Sequence, residues 1–103
     1  MARLRYTAAS QDDLDSIALY IAEQSGSRVV AEHFTGELRA KCRDLARLPG
    51  RLGRSRSELR PDMRSFAYKS YLISFRYAGE TVEIVNVVES HRDIAALFRD
   101  DKK

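Results

Sequence analysis

Arginine is the side chain best able to do chemistry in this sequence, because its planar fork can hold a carboxylate or a phosphate in two directions. Arg64, Arg76 and Arg92 lie on successive predicted elements and could converge on one face to form an anion site. Alternatively, they form ordinary ion pairs with acids of the same segment. Those acids are Glu83, Glu89 and Asp93. The sequence leaves both interpretations open.

Other reactive side chains are few. His91 could act as a general acid or base, since imidazole titrates near neutral pH, or it could simply bond locally at a strand end. His33 is expected at the surface. Cys42 is the only cysteine, so an intrachain disulfide is excluded and the thiol is expected in the core. Motifs for phosphate loops, zinc sites and catalytic triads are absent, so the sequence implies no metal and no cofactor.

The composition is that of one ordinary globular domain spanning residues 1–103. Hydrophobic residues at 44% and charged residues at 32% argue against a disordered chain. No apolar run approaches the roughly 20 residues of a spanning helix, and the first residues lack the apolar core of an export signal. We therefore expect a cytoplasmic protein. Its net charge of +3 favours acidic partners such as nucleic acid or an acidic peptide.

The first half of the chain predicts a strand followed by two helices. Alternation over residues 3–8 indicates a half-buried strand. Ser10 is the expected N-cap of a helix running to about Gln24, and Ser27 caps a second helix that closes before Pro49. The apolar stripes of the two helices predict an antiparallel hairpin. Their members are Leu14, Ile17, Ala18 and Ile21 in the first helix, and Val30, Phe34, Leu38, Cys42, Leu45 and Leu48 in the second.

The second half predicts three strands, over residues 58–67, 70–77 and 81–88, after a polar loop from Arg51 to about Ser57. A tight turn at Ala78-Gly79-Glu80 joins the last two. In the last strand, Val82, Ile84 and Val88 are expected on one face and Val85 and Val87 on the other, which is typical of a central strand. A short helix capped by Asp93 could follow. The order β-α-α-β-β-β-α predicts an α+β fold, with a helical hairpin packed on a small, mainly antiparallel sheet.

This order resembles the RelE-like fold, and two segments carry the resemblance. The run from Met63 to Tyr77 looks like the family's two-strand segment, in which an arginine-containing strand leads into Tyr-x-Ile-x-aromatic-Arg. The run from Val82 to Ile94 looks like its last strand and its ending His-Arg-Asp. With the helical hairpin closing on Leu48-Pro49-Gly50, the likeness to the ParE/RelE toxin superfamily covers nearly the whole chain.

The superfamily implies one of two activities. RelE-like members are ribosome-dependent mRNA endonucleases, which use Lys, Arg, His, Glu and a C-terminal Tyr; ParE-like members inhibit DNA gyrase. After His91 this chain has no tyrosine, and arginines, which are poor general bases, replace the lysines expected in the middle segment. The resemblance therefore favours a ParE-like gyrase inhibitor. The alternatives are an endonuclease using His91, Arg64 and Arg76, and a toxin that has lost its activity.

The resemblance also implies the partners. A ParD-like antitoxin with a ribbon-helix-helix domain would neutralise the toxin in a hetero-oligomer, and operator DNA would be bound only through that antitoxin. The expected antitoxin contacts are Leu14, Ile17, Ile21, Phe34 and Leu38. The expected target contacts are Arg64, Arg76, His91, Arg92 and Asp93. Replacing Arg92 by Ala is predicted to abolish toxicity while leaving folding nearly intact.

Overall fold

The computed structural model describes residues 3–47, 54–55 and 62–89. In chain order the elements are β1 (Arg3–Tyr6), α1 (Ala8–Ser25), α2 (Arg28–Arg47), β2 (Arg54–Ser55), β3 (Met63–Tyr68), β4 (Tyr71–Ala78) and β5 (Thr81–Glu89). The predicted succession of a strand, two helices and three strands is confirmed. The two-residue β2 is an addition, because the sequence predicted only a polar loop there. The closing helix predicted after Asp93 lies outside the described residues.

The five strands form one mixed sheet in the order β1-β5-β4-β3-β2. β1 runs parallel to β5, with Leu4 opposite Val82 and Tyr6 opposite Ile84. The remaining neighbours are antiparallel. β5 is therefore an interior strand, as predicted from its apolar residues. Its partner β1 comes from the other end of the chain, so β5 joins the two halves of the sequence.

Thr7, and not the predicted Ser10, is the N-cap of α1. The Thr7 hydroxyl accepts a hydrogen bond from Ser10 N at 3.0 Å and donates one to Val85 O at 2.9 Å. The Thr7 backbone N–H also donates to Ile84 O at 3.0 Å. One threonine therefore ends β1, starts α1 and fixes both elements to β5. Ser10 instead lies buried in the first turn of the helix.

The two helices form the predicted hairpin. Gly26 ends α1 in the left-handed conformation at φ 71°, where a residue without a Cβ is favoured. Ser27 starts α2 as expected, because its hydroxyl accepts a hydrogen bond from Val30 N at 3.2 Å. Both helices pack on one face of the sheet, which we call the helix face. The other side is called the opposite face.

The core lies between the helices and the helix face. Its largest fully buried side chains from the helices are Leu14, Leu38 and Leu45, and those from the sheet are Phe75, Ile73 and Ile84. Cys42 is fully buried among them, as predicted. Burial of this apolar surface is the main favourable term in the stability of such a domain.

A β-bulge changes the predicted faces of β5. β4 pairs Ser74 with Asn86 but Phe75 with Ile84, so Val85 has no partner on β4. An extra residue shifts the alternation of side chains by one position. Val87 therefore joins Val82 and Ile84 in the helix-face core. The prediction that Val88 shares their face is wrong for this reason, because strict alternation cannot anticipate a bulge.

Candidate functional site

The two described arginines of the predicted anion site point to opposite faces of the sheet. Arg64 pairs with Phe75, and Arg76 pairs with Met63. Cross-strand partners point to the same face, and neighbours along a strand point to opposite faces. Phe75 belongs to the helix-face core, so Arg64 lies on that face and Arg76 on the other. The hypothesis that Arg64 and Arg76 converge is therefore wrong.

Arg64 is half-buried at the edge of the helix-face core. Its guanidinium carbon lies 5.9 Å from the centre of the Tyr77 ring. That ring in turn meets Phe75 edge to face at 5.7 Å. A guanidinium over an aromatic face gains cation–π stabilisation and packs its stem against apolar surface. Arg64 is thus part of the packing around the end of the core.

Arg76 belongs to a line of alternating charges across the opposite face, which we call the charged row: Arg5, Glu83, Arg76 and Asp62. Arg76 Nε donates to Glu83 Oε1 at 3.0 Å, and Arg76 Nη1 donates to Asp62 Oδ2 at 2.7 Å. Arg5 donates to the other Glu83 oxygen from Nε at 3.0 Å and Nη2 at 2.7 Å. The predicted alternative, an ion pair between Arg76 and Glu83, is confirmed.

Glu83 is the centre of the charged row. Its side chain is only 17% exposed. Burial by itself would raise the pKa of this carboxyl, but hydrogen bonds from Arg5 and Arg76 outweigh burial and hold the pKa below its usual value. Hydrogen bonding to Glu83 likewise raises the pKa of Arg76. Both shifts favour the charged forms, so Glu83 and Arg76 are held as an ion pair.

His91, Arg92 and Asp93 lie outside the described residues. Their roles as target contacts, and the convergence of Arg92 with either of the other arginines, stay predictions. His33 is exposed on α2 as expected, with Nε2 4.0 Å from Glu37 Oε2.

Three of the five predicted antitoxin contacts are core residues. Leu38 is fully buried, Leu14 is 1% exposed and Ile17 is 7% exposed. The first two have no surface to offer a partner without unfolding, and Ile17 offers only a small remnant. Ile21 and Phe34 are partly buried and border the core. The apolar stripe used for the prediction marks the side of each helix that faces the sheet, which explains why Leu14, Ile17 and Leu38 are buried. For Ile21 and Phe34 the contact with an antitoxin stays a prediction.

The apolar surface available to a partner lies on the other side of the hairpin. Leu19 is 62% exposed and Val29 is 75% exposed, and Tyr20 and Val30 are each about half exposed. The prediction that Val30 belongs to the buried stripe of α2 is wrong. Leu19 and Tyr20 fall outside the apolar period of α1, and that departure was the sequence signal for an exposed apolar surface.

Phe34 is covered on one side by the turn between β3 and β4. Lys69 Nζ lies 5.4 Å from the centre of the Phe34 ring and 3.2 Å from Glu37 Oε1. Tyr71 adds a tilted ring contact at 5.5 Å. The hydrogen bond from Lys69 lowers the pKa of Glu37. This contact ties the sheet to α2 and covers one side of the Phe34 ring.

A cavity of about 210 Å³ opens between α1 and the last residues of β5. Its lining consists of Asp13, Ser16, Ile17, Tyr20, Tyr71, Val87, Val88 and Glu89. Asp13 Oδ2 accepts a hydrogen bond from Val87 N at 2.9 Å, which ties the helix to the strand. Burial raises the pKa of Tyr71, and the nearby Glu89 carboxylate adds to this.

Nucleophilic and metal chemistry find little support among the described residues. Burial raises the pKa of the Cys42 thiol to about 11, and burial together with Cys42 raises the pKa of Tyr6 to about 12. Both groups stay protonated at neutral pH and are poor nucleophiles. Within residues 3–47, 54–55 and 62–89, His, Cys, Asp and Glu form no group suited to a metal ion. None of the helices in these ranges has the length and apolar character to cross a membrane.

Comparison with known proteins places these features in a family. The model of the family described as "ParE toxin of type II toxin-antitoxin system, parDE" matches residues 4–94. The curated protein Toxin ParE3 of Caulobacter vibrioides is 31% identical over 96 residues, covering 93% of this chain and 94% of the relative.

Two solved structures share the fold. The chromosomal ParDE TA system from P. aeruginosa matches with a TM-score of 0.76 at 20% identity, covering 86% of this chain and 96% of the other. The toxin-antitoxin complex RelBE2 from Mycobacterium tuberculosis matches with a TM-score of 0.56 at 24% identity, covering 85% and 96%. These likenesses confirm the α+β fold predicted from the sequence. With the family match over most of its length, the chain belongs to the ParE toxin family of type II toxin-antitoxin systems.

Proposed function

We propose that this ParE-type toxin acts by inhibiting DNA gyrase and trapping it on cleaved DNA, as a binding protein without bond-breaking chemistry of its own. The observation that carries the proposal is the separation of Arg64 and Arg76 on opposite faces of the sheet. An RNA endonuclease must bring an acid, a base and cationic groups to one phosphate. The two arginines that the sequence offered for that role cannot both contact the same phosphate.

The centre of the opposite face supports the same proposal. Apart from the charged row, the described residues that β3, β4 and β5 contribute there are apolar or small and polar. They are Met63, Ser65, Ala67, Leu72, Ser74, Ala78, Thr81, Asn86 and Val88. Side chains of these types do not titrate near neutral pH, so none can serve as the general acid or base of a nuclease.

The test is a gyrase supercoiling and cleavage assay with the purified chain, run beside a ribosome-dependent translation assay. Supercoiling should fall and linear DNA bound to gyrase should accumulate, while mRNA stays intact. The variant Gln24→Lys, which changes an exposed residue at the far end of α1, serves as a control and should inhibit gyrase as well as the unmodified chain does. Cleavage of mRNA at ribosomal A sites with intact DNA would establish the endonuclease alternative instead. Folded protein inactive in both assays would indicate a degenerate toxin.

We further propose that a ParD-like antitoxin neutralises the chain in the bacterial cytoplasm. Two solved structures that share its fold come from toxin-antitoxin systems, and the exposed Leu19, Tyr20 and Val29 offer apolar surface for a partner. The test is co-expression with the short acidic protein expected from the neighbouring reading frame. Growth should recover, and the complex should bury more than about 1,000 Å². Failure to restore growth despite stable expression would contradict this partner.

A further inference from the structure

The last part of β5 has a different edge from the first. β1 pairs with residues 81–84 only, because the chain leaves the sheet at Thr7 to enter α1. Among the described residues, positions 86–89 are paired with β4 alone. On the side where β1 would continue, Val87 N–H donates to Asp13 Oδ2. The N–H and carbonyl of one strand residue point to the same edge, so the Val87 carbonyl also lies there.

The cavity beside this edge is lined by buried apolar side chains and by two partly exposed acidic residues. Ile17 and Val87 supply aliphatic surface, and Tyr20 and Tyr71 supply aromatic rings. Asp13 and Glu89 contribute carboxylates, and the lining contains neither Lys nor Arg. A space of about 210 Å³ with these walls suits a long side chain that is apolar along its stem and cationic at its end.

The charge of α1 also favours a cationic side chain in this cavity. The helix carries Asp12, Asp13, Asp15 and Glu23 and no Lys or Arg, in a chain whose net charge is +3. The basic residues of the hairpin lie on α2, mainly in its C-terminal half, at Arg39, Lys41, Arg43 and Arg47. The net charge of the whole chain is positive, but the surface of α1 is acidic and attracts cations.

We infer that an extended segment of the partner antitoxin lies along residues 87–89 of β5 and places an arginine or lysine side chain in the cavity. The segment would continue the sheet beyond the point where β1 stops. Its backbone N–H would bond to the Val87 carbonyl, because the Val87 N–H is already bonded to Asp13, and its cation would lie against the carboxylates of Asp13 and Glu89. An acidic segment of the same partner would suit the basic half of α2 instead. This inference rests on the proposed antitoxin, and it specifies the charge of the segment that crosses α1.

The test uses two eight-residue peptides of alternating Thr and Val that differ at one central residue, which is Arg in one and Glu in the other. Each is titrated into the full-length, ¹⁵N-labelled chain. The Arg peptide should shift the amide signals of Val87, Val88 and Glu89 and should bind at least about tenfold tighter than the Glu peptide, the scale of one charge-assisted hydrogen bond. Equal or tighter binding of the Glu peptide, or shifts confined to α2, would overturn the inference.

A pair of variants on α1 locates the site. Ser16→Lys places a cation in the cavity wall and should weaken the Arg peptide about tenfold or more. Gln24→Lys adds the same charge to the same helix away from the cavity and should change affinity less than about twofold. Both positions are exposed, so both variants should melt like the wild type. Equal affinity of the Arg peptide for Ser16→Lys and for wild type would show that the peptide does not place its arginine in this cavity.

The peptide titration separates this inference from the proposed function. If neither peptide binds while the antitoxin still restores growth, the inference is wrong and the proposed partner stands. If the Arg peptide binds as expected but the chain leaves gyrase unaffected, the site stands and the proposed target is wrong.

Discussion

The two ends of β5 are built for different purposes. Residues 81–84 lie between β1 and β4, and Glu83 there holds an arginine from each neighbouring strand. Residues 86–89 have only β4 beside them among the described residues, with the Asp13 carboxylate bonded to Val87. The bulge at Val85 divides the two parts.

The difference shows how one strand can serve stability and recognition. A strand paired on both sides has its backbone groups satisfied and contributes to a cooperative core. A strand with an edge that is not paired to another strand can act as a template for another chain. The following predictions test this division, beginning with the largest expected effect.

Replacing Ile84 by Ala tests the doubly paired end. Ile84 is fully buried in the helix-face core. The variant should lose about 3 kcal/mol of unfolding free energy, because removal of buried methylene groups also leaves a cavity. Chemical denaturation measures the loss. Val88→Ala at the other end is the comparison and should cost less, since fewer atoms are removed from a less buried site. A larger loss of unfolding free energy for Val88→Ala than for Ile84→Ala would contradict the view that residues 81–84 are the stabilising end of β5.

Replacing Thr7 by Val tests the junction that fixes both ends to α1. The isosteric change removes the N-cap and the bond to Val85 O, and it should cost about 1.5 kcal/mol. Thr35→Val is the matched control, because the Thr35 hydroxyl bonds only to carbonyls within its own helix, at Ala31 and Glu32. That control should change the unfolding free energy by less than about 0.5 kcal/mol. Equal effects would remove the special role of Thr7.

Replacing Glu83 by Gln tests the charged row through pH. The pKa of Glu83 is depressed in the folded protein, so its contribution is present above the unfolded value of about 4.3 and is lost as the pH falls through the lower folded value. Because this row is partly open to solvent, we expect a loss of about 1 kcal/mol at pH 7.

The difference between wild type and Glu83→Gln should shrink as the pH falls below about 4. Thermal unfolding from pH 7 to pH 3 measures it, with Glu23→Gln on the exposed side of α1 as the control for loss of a negative charge. A difference that stays constant down to pH 3 would show that Glu83 contributes by packing and not by its charge.

Replacing Asp13 by Asn tests the open end and should have the smallest effect. The amide oxygen can still accept from Val87 N–H, but it lacks the charge that strengthens the bond. Unfolding free energy should change by less than about 0.5 kcal/mol, while the Val87 amide should exchange with solvent faster than in wild type. Asp12→Asn, an exposed neighbour, is the control. Unchanged exchange at Val87 would mean that Asp13 does not protect this edge.

Local patterns predicted the elements well, but not the contacts between distant segments. Thr7 and Ser10 are both plausible caps in the sequence, and the choice depends on Val85, 78 residues away from Thr7. The partnership of Arg5 with Glu83 spans the same distance. Neither contact leaves a local pattern, because each depends on the parallel pairing of the first and last strands.

The opposite placement of Arg64 and Arg76 could have been predicted. In a hairpin with a two-residue turn, each even-numbered residue of one strand pairs with an odd-numbered residue of the other, and paired residues share a face. Two even-numbered residues on different strands, such as Arg64 and Arg76, therefore lie on opposite faces. The structure has this turn at Lys69 and Ser70, between paired Tyr68 and Tyr71. The turn lacks a glycine signal because Lys69 itself adopts the left-handed conformation at φ 54°.

The pairing of β1 with β5 also bears on how the chain is made. β1 emerges from the ribosome first, but its only strand partner among the described residues follows 78 residues later. At about 5–20 residues per second, that gap lasts about 4 to 16 seconds, during which the two helices lack β5, the strand that both contact in the folded chain. The sheet cannot be completed until β5 has been made, because the pairing of β1 with β5 is non-local. A cell therefore gains an interval in which the nascent chain cannot yet present its finished surfaces.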